Sequence, residues 1–124
     1  MRSHGFPKIV AVVVGASLLA FGLWALVSPT SFVDAVASFD PYNQHFVQDI
    51  GAFQIGLGAV LLLAAFVSSD ALTVALLGVG IGSSAHVASH LVGRDLGGKP
   101  ATDIPFFLLM SALLLAAGVV RKRG

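Results

Sequence analysis

Apolar residues form four long runs along the chain, each interrupted by only a few polar positions. An α-helix needs about 17–25 predominantly apolar residues to cross the hydrocarbon core of a membrane, and each run meets that length. The runs cover residues 9–27, 46–67, 71–92 and 104–120. This pattern predicts an all-α protein, an integral membrane four-helix bundle that forms one transmembrane domain over residues 1–124.

The segments between the runs differ in length. Only residues 68–70 separate the second run from the third, which predicts a tight helical hairpin. The segment after the first run holds apolar residues at helical spacing, namely Phe32, Val33, Val36 and Phe39. We expect a short amphipathic helix there, lying at the membrane interface and ending at Asp40-Pro41, with an irregular loop as the alternative.

The start of the fourth run carries residues that favour a helix terminus. Thr102 or Asp103 can cap the first turn, and Pro105 is tolerated within that turn. The sequence therefore predicts a fourth helix that begins at about residue 104.

Positive charge is distributed unevenly between the two sides of the predicted bundle. Five basic residues fall on the side of the termini, namely Arg2, Lys8, Arg121, Lys122 and Arg123. Only Arg94 and Lys99 fall on the other side. Because Lys and Arg are retained on the cytoplasmic side, both termini are predicted to be cytoplasmic. A cleaved signal peptide is the alternative, but its apolar region would span about 7–15 residues, fewer than the first run holds.

Composition supports a membrane environment and excludes several functions. Of the 124 residues, 56% are hydrophobic and 10% are charged, against about 25% charged in average soluble domains. The mean hydropathy is +0.93. A net charge of +1 without a basic stripe argues against a nucleic-acid partner, and the absence of cysteine excludes thiolate metal ligands and cysteine nucleophiles. No Gly-x-Ser-x-Gly motif supports a hydrolase, so a non-enzymatic role is favoured.

Ionisable residues cluster at one end of the predicted bundle. His45 and Asp49 are four residues apart at the start of the second helix, and His86 and His90 are four apart at the end of the third. Residues at this spacing share a helix face. Because the two helices run antiparallel, all four residues are predicted to lie at the outer membrane boundary.

On each of these two helices, the face that carries the polar pair continues as a stripe of small residues. Gly78 and Gly82 continue the stripe of the two histidines on the third helix. Ala52 and Gly56 continue the stripe of Asp49 on the second. Small residues at this spacing allow close helix packing, so the sequence predicts that the two stripes pack together. Gln54 lies on a different face of the second helix from Asp49 and is expected to form a hydrogen bond between helices.

The polar cluster has three interpretations. In the first, Asp49 accepts hydrogen bonds from the histidines and holds the helix ends together. In the second, His45, Asp49, His86 and His90 bind a transition metal, for which zinc, copper and iron suit nitrogen and oxygen ligands; haem is less favoured. In the third, the same groups relay protons or substrate, although no ionisable residue continues such a path through the inner half.

The layout resembles that of the DoxX-like proteins and related small four-helix bacterial membrane protein families. The resemblance is carried by the polar patch of residues 43–52 before a glycine-rich run, and by the Gly- and Ser-rich segment 78–90 followed by the polar loop 97–100. It implies an accessory or redox-associated membrane protein. Members often have arginine where this chain has His or Asp.

These observations favour a small bacterial inner-membrane protein that acts as an accessory or interaction subunit. Its expected partners are the lipid bilayer and other membrane subunits, or a second copy that associates through the glycine stripes. The alternatives are a metal-binding or redox membrane protein that uses the polar cluster, and a small oligomeric transporter.

Overall fold

The computed structural model describes residues 5–123, and this part of the chain contains helices but no strand. The helices are α1 (Gly5–Val27), α2 (Pro29–Ala35), α3 (Gln44–Phe66), α4 (Leu72–Val92) and α5 (Pro100–Arg123), and a 3-10 turn (Ser69–Ala71) precedes α4. The four long helices α1, α3, α4 and α5 are long and apolar enough to cross a membrane. The predicted all-α four-helix architecture is confirmed. Arg2, which contributes to the orientation prediction, lies outside the described residues.

The fourth long helix begins one turn earlier than predicted. Pro100 takes its first position, where a proline loses no helical hydrogen bond. Asp103 consequently lies inside the first turn, and its carboxylate accepts a hydrogen bond from the Lys99 backbone N–H at 2.9 Å. Asp103 still satisfies a free backbone donor at the helix start, but it does so from within the helix.

The short helix α2 is present but ends at Ala35, before the predicted limit at Asp40-Pro41. Its Phe32 side chain is buried and packs in a small cluster with Ala25 of α1 and Val47 of α3. The apolar face of α2 is therefore used against the end of the bundle. Beyond it, the Phe39 ring packs against the loop glycines Gly97 and Gly98.

Two antiparallel glycine contacts hold α1 against α3. A Cβ atom at Gly58 would lie 2.6 Å from the Gly15 carbonyl oxygen, and one at Gly22 would lie 2.7 Å from the Gly51 carbonyl oxygen. Gly15 and Gly22 are seven residues apart on α1, as are Gly51 and Gly58 on α3. The two contacts therefore lie about two helical turns apart along the pair. The absence of side chains lets the two backbones approach closely, as small residues do in membrane helix pairs.

The other pair, α4 with α5, uses glycines against leucine side chains. Gly80 of α4 faces Leu115, and Gly118 of α5 faces Leu77. Between the two pairs lies an apolar core to which all four long helices contribute, with Leu61, Leu76 and Leu114 fully buried.

The predicted packing of the α3 and α4 stripes against each other is wrong. A Cβ atom at Gly56, Gly78 or Gly82 would meet nothing within 4 Å. An apolar groove of about 540 Å³ lies between the two helices instead, with walls that include Val60 of α3 and Val74 of α4. The reason is that the α3 glycines at positions 51 and 58 already pack against α1, so α3 turns its other face to the groove.

Candidate functional site

Two histidines and an aspartate meet where the end of α4 packs against the start of α5. The Nε2 atoms of His86 and His90 are 3.1 Å apart, within hydrogen-bond distance. On the far side of His90, Nδ1 lies 4.0 Å from Oδ2 of Asp103. The side chains of His90 and Asp103 are each only 15% exposed, so this pair is shielded by the protein.

Aromatic rings enclose the two imidazoles. The Phe107 ring centroid lies 4.1 Å from that of His86 and 5.1 Å from that of His90. Phe39, from the loop after α2, approaches His90 edge-on at 6.4 Å. These contacts limit the ring orientations that the histidines can adopt, and they bring residues from three segments of the chain to one site.

The Asp103 carboxylate favours one tautomer of His90. A carboxylate only accepts hydrogen bonds, so it favours a proton on the facing Nδ1 atom of His90. In that tautomer Nε2 of His90 has a lone pair, which can accept a hydrogen bond from Nε2 of His86. The three side chains lie in sequence, with the Asp103 carboxylate 4.0 Å from Nδ1 of His90 and with His86 within hydrogen-bond distance of Nε2 of His90.

The other two predicted residues form a separate, more exposed pair. His45 Nε2 and Asp49 Oδ2 are 3.4 Å apart on the first turns of α3, and their side chains are 87% and 54% exposed. Asn43 caps this helix by accepting a hydrogen bond from the Phe46 N–H at 3.0 Å. Gln48 ties the same turn to α1 by donating to the Leu26 carbonyl oxygen at 3.0 Å.

The structure thus divides the four predicted ligands into two pairs. Within residues 5–123, no hydrogen bond or ion pair joins His45 or Asp49 to the histidines of α4. In that same range, no three His, Cys, Asp or Glu side chains are grouped so as to hold a metal ion. Asp49 therefore does not bridge to the α4 histidines, whereas metal binding by the four residues stays a prediction.

Helix α5 supplies two residues of the site. In the sequence Asp103 is a candidate helix cap, whereas Phe107 carries no chemical signal of its own. The spacing of these residues is a signal that could have grouped them. Lys99, Asp103 and Phe107 are four residues apart and so lie on one face of the start of α5.

Comparison with known proteins gives one partial match. Tetraspanin-1 of Rattus norvegicus is 39% identical over 73 residues, which cover 53% of this chain and 30% of the relative. The chain thus corresponds to less than a third of the length of that relative. No family model and no solved structure matches. The resemblance to DoxX-like proteins stays a prediction.

The match and the four membrane-length helices agree on the coarse class of the protein. The chain is a multi-pass membrane protein with four helices. Its histidine–aspartate cluster lies where the end of α4 meets the start of α5, at the end of the bundle opposite the 3-10 turn.

Proposed function

We propose that this protein is an accessory subunit of the bacterial inner membrane, and that a transmembrane helix of another membrane protein packs in the groove between α3 and α4. The single observation that carries this proposal is the groove itself. Its walls are apolar, and Gly78, on its α4 side, has nothing within 4 Å of the position of a Cβ atom. A partner backbone has room to approach there.

Packing in membranes explains why such a groove favours a protein over lipid. Transmembrane helices associate through van der Waals contact at small residues, because lipid tails are as apolar as leucine. Ala75 and Gly78 of α4, with Ala71 of the preceding 3-10 turn, give this wall of the groove a small-residue surface. The glycines at positions 15, 22, 51 and 58 use the same principle between α1 and α3.

Both termini are proposed to be cytoplasmic. Support comes from cations gathered at one end of the bundle, where Lys8 Nζ lies 5.1 Å above the Phe66 ring and Arg121 donates to the Ser69 carbonyl oxygen at 3.3 Å. Lys99 lies at the opposite end, where it donates to the Ala35 carbonyl oxygen at 2.9 Å. The excess of positive charge on the first side favours its retention in the cytoplasm.

Site-directed cross-linking tests the groove. The chain contains no cysteine, so a Val74→Cys variant carries a single thiol in the groove, to which a photoactivatable probe can be attached in native membranes. We expect a discrete protein adduct, identified by mass spectrometry as another membrane subunit. Adding Gly78→Leu should remove that adduct, because the new side chain fills the space that the partner helix occupies.

The matched control is Ala116→Cys, at an exposed small residue of α5. It should give only lipid adducts under the same illumination. Lipid adducts alone from the Val74→Cys variant would contradict the accessory role. An adduct of twice the monomer mass that also forms with purified protein in nanodiscs would assign the groove to self-association.

A second function, transition-metal binding, is favoured by the geometry of the α4 histidines. Two Nε2 atoms 3.1 Å apart are close enough to bind one ion together. Asp103 behind His90 resembles the carboxylate–histidine–metal arrangement that orients ligands in metal sites. Zinc sites use at least three protein ligands, so the remaining ligands would have to come from solvent or a partner subunit.

Elemental analysis of protein purified in mild detergent tests metal binding. We expect about one zinc, copper or iron ion per chain, lost in His86→Ala and in His90→Ala. The control His45→Ala should keep the metal if the ion lies between the α4 histidines. Loss of the ion in this variant as well would instead support the predicted four-residue site.

A further inference from the structure

Cationic side chains gather at the end of the bundle that carries the 3-10 turn. This surface, which we call the basic end, consists of Lys8 in the first turn of α1 and of Arg121, Lys122 and Arg123 in the last turn of α5. Arg121 is half-buried, and the other three side chains are exposed. One acidic residue, Asp70, lies at the same end, in the 3-10 turn. The basic end therefore carries an excess of positive charge.

The first and last helices bring their cations to the same short segment of the chain. Lys8 Nζ lies 5.1 Å from the centroid of the Phe66 ring. Arg121 Nη2 donates to the Ser69 carbonyl oxygen at 3.3 Å. Phe66 and Ser69 are three residues apart, so their Cα atoms are separated by at most about 10 Å. The cations thus form one surface, although more than a hundred residues separate them in sequence.

The protein satisfies these cations only in part. Within residues 5–123, no carboxylate forms an ion pair with any of the four. Nε of Arg121 is buried without a hydrogen-bond partner. The same is true of Oε1 of Gln54 within α3, so the predicted interhelical hydrogen bond is wrong for that atom. Because a lysine ammonium has three N–H donors and a guanidinium has five, the exposed cations keep donors for an anion from outside the protein.

Exposed apolar side chains lie directly beside the cations. Ile9 and Phe66, next to Lys8, are 62% and 66% exposed. Val119 and Val120 precede Arg121 on α5 and are 41% and 36% exposed. A ligand that matches this surface combines a negative head with an apolar body. A phospholipid has both parts, whereas a soluble anion such as inorganic phosphate would use only the cations.

We propose that the basic end binds anionic phospholipid. The headgroup phosphate lies among the four cations, and the acyl chains lie against the exposed apolar residues. Arginine holds phosphate oxygens through paired N–H donors, and lysine adds a compact positive charge. The four cations do not line the α3–α4 groove, and they lie at the opposite end of the bundle from the α4 histidines. The lipid site is therefore independent of both functions proposed above.

Native mass spectrometry of the full chain in a mild non-ionic detergent tests the proposal. The protein is titrated with dioleoyl phosphatidylglycerol and with dioleoyl phosphatidylcholine, which have the same acyl chains but differ in net headgroup charge. We expect the dissociation constant for phosphatidylglycerol to be lower by about fivefold or more, since each Lys or Arg near the membrane surface contributes about that factor. Raising the ammonium acetate concentration should reduce the preference, because salt screens exposed charges.

Variants locate the binding. Lys8→Gln and Lys122→Gln each remove one exposed cation of the basic end, and each should weaken phosphatidylglycerol binding by about fivefold and leave phosphatidylcholine binding unchanged. The matched control is Arg94→Gln. It also removes one exposed positive charge, but from the loop after α4 at the other end of the bundle, and it should keep the full preference. Helix content and elution volume confirm that each variant is folded.

Three outcomes would overturn the proposal. Equal affinity for the two lipids would show that headgroup charge is not recognised. An equal loss of preference in Arg94→Gln and in Lys122→Gln would show that net charge, and not the basic end, attracts the lipid. Displacement of phosphatidylglycerol by inorganic phosphate would assign the surface to a soluble anion. If Lys8→Gln does not fold, Lys122→Gln decides the result, because its side chain is exposed on the last turn of α5.

Discussion

Replacing Gly58 by alanine is expected to destabilise the bundle by about 1–3 kcal/mol, the usual cost of an overpacked contact. The added methyl group would lie 2.6 Å from the Gly15 carbonyl oxygen and 2.8 Å from the Leu19 backbone nitrogen. Both are backbone atoms that cannot rotate away. The helices α1 and α3 must therefore separate, which weakens the contact over its whole length. The midpoint of unfolding by SDS in mixed micelles measures this change.

The chain offers a close control two residues away. Gly56 lies on the same helix, and a Cβ atom there would meet nothing within 4 Å. Alanine favours helix over glycine by about 1 kcal/mol in water, so Gly56→Ala should leave stability unchanged or raise it slightly. Equal destabilisation by the two variants would show that α1 and α3 do not meet through Gly58.

The second large effect is expected for Asp103→Ala. This change removes the acceptor of the Lys99 backbone N–H and leaves Nδ1 of His90 without its carboxylate. Because the Asp103 and His90 side chains are shielded from solvent, water replaces these contacts poorly. Losing one hydrogen-bond partner in such a place costs about 1–3 kcal/mol. The same SDS titration measures the loss.

Two further variants separate the role of Asp103 from a general effect of losing a carboxylate. Asp103→Asn keeps an oxygen that can accept from the Lys99 N–H, so it should recover part of the lost stability. Asp49→Ala removes a carboxylate that is 54% exposed, and exposed pairs contribute about 0–1 kcal/mol. If Asp49→Ala costs as much as Asp103→Ala, the stabilising polar contact lies on α3 and not between α4 and α5.

The hydrophobic pattern was sufficient to predict the helices but not their neighbours. Four long helices and the tight connection between the second and third appear in the structure as expected. The reason is that the length of each apolar run matches the length of helix needed to cross the hydrocarbon core. Within a membrane, however, every face of such a helix is apolar. The choice of neighbour then depends on small residues. The seven-residue spacing of Gly51 and Gly58 matches α1, whereas a Cβ atom at Gly78 or Gly82 of α4 would meet nothing within 4 Å.

The candidate site was predictable to a similar extent. Helical spacing correctly grouped His86 with His90 and His45 with Asp49. Equal depth in the membrane did not bring the two pairs together, because depth fixes only one of three dimensions. Position around the bundle depends on which helices pack, and the pairing of α4 with α5 places Asp103 beside His90.

The pairing of α1 with α3 and of α4 with α5 also has a consequence for biosynthesis. The contact between the first two long helices needs no residue beyond Phe66, so it can form while the rest of the chain is still on the ribosome. At about 5–20 residues per second, the second pair follows some seconds later. The order of translation is then the order of assembly.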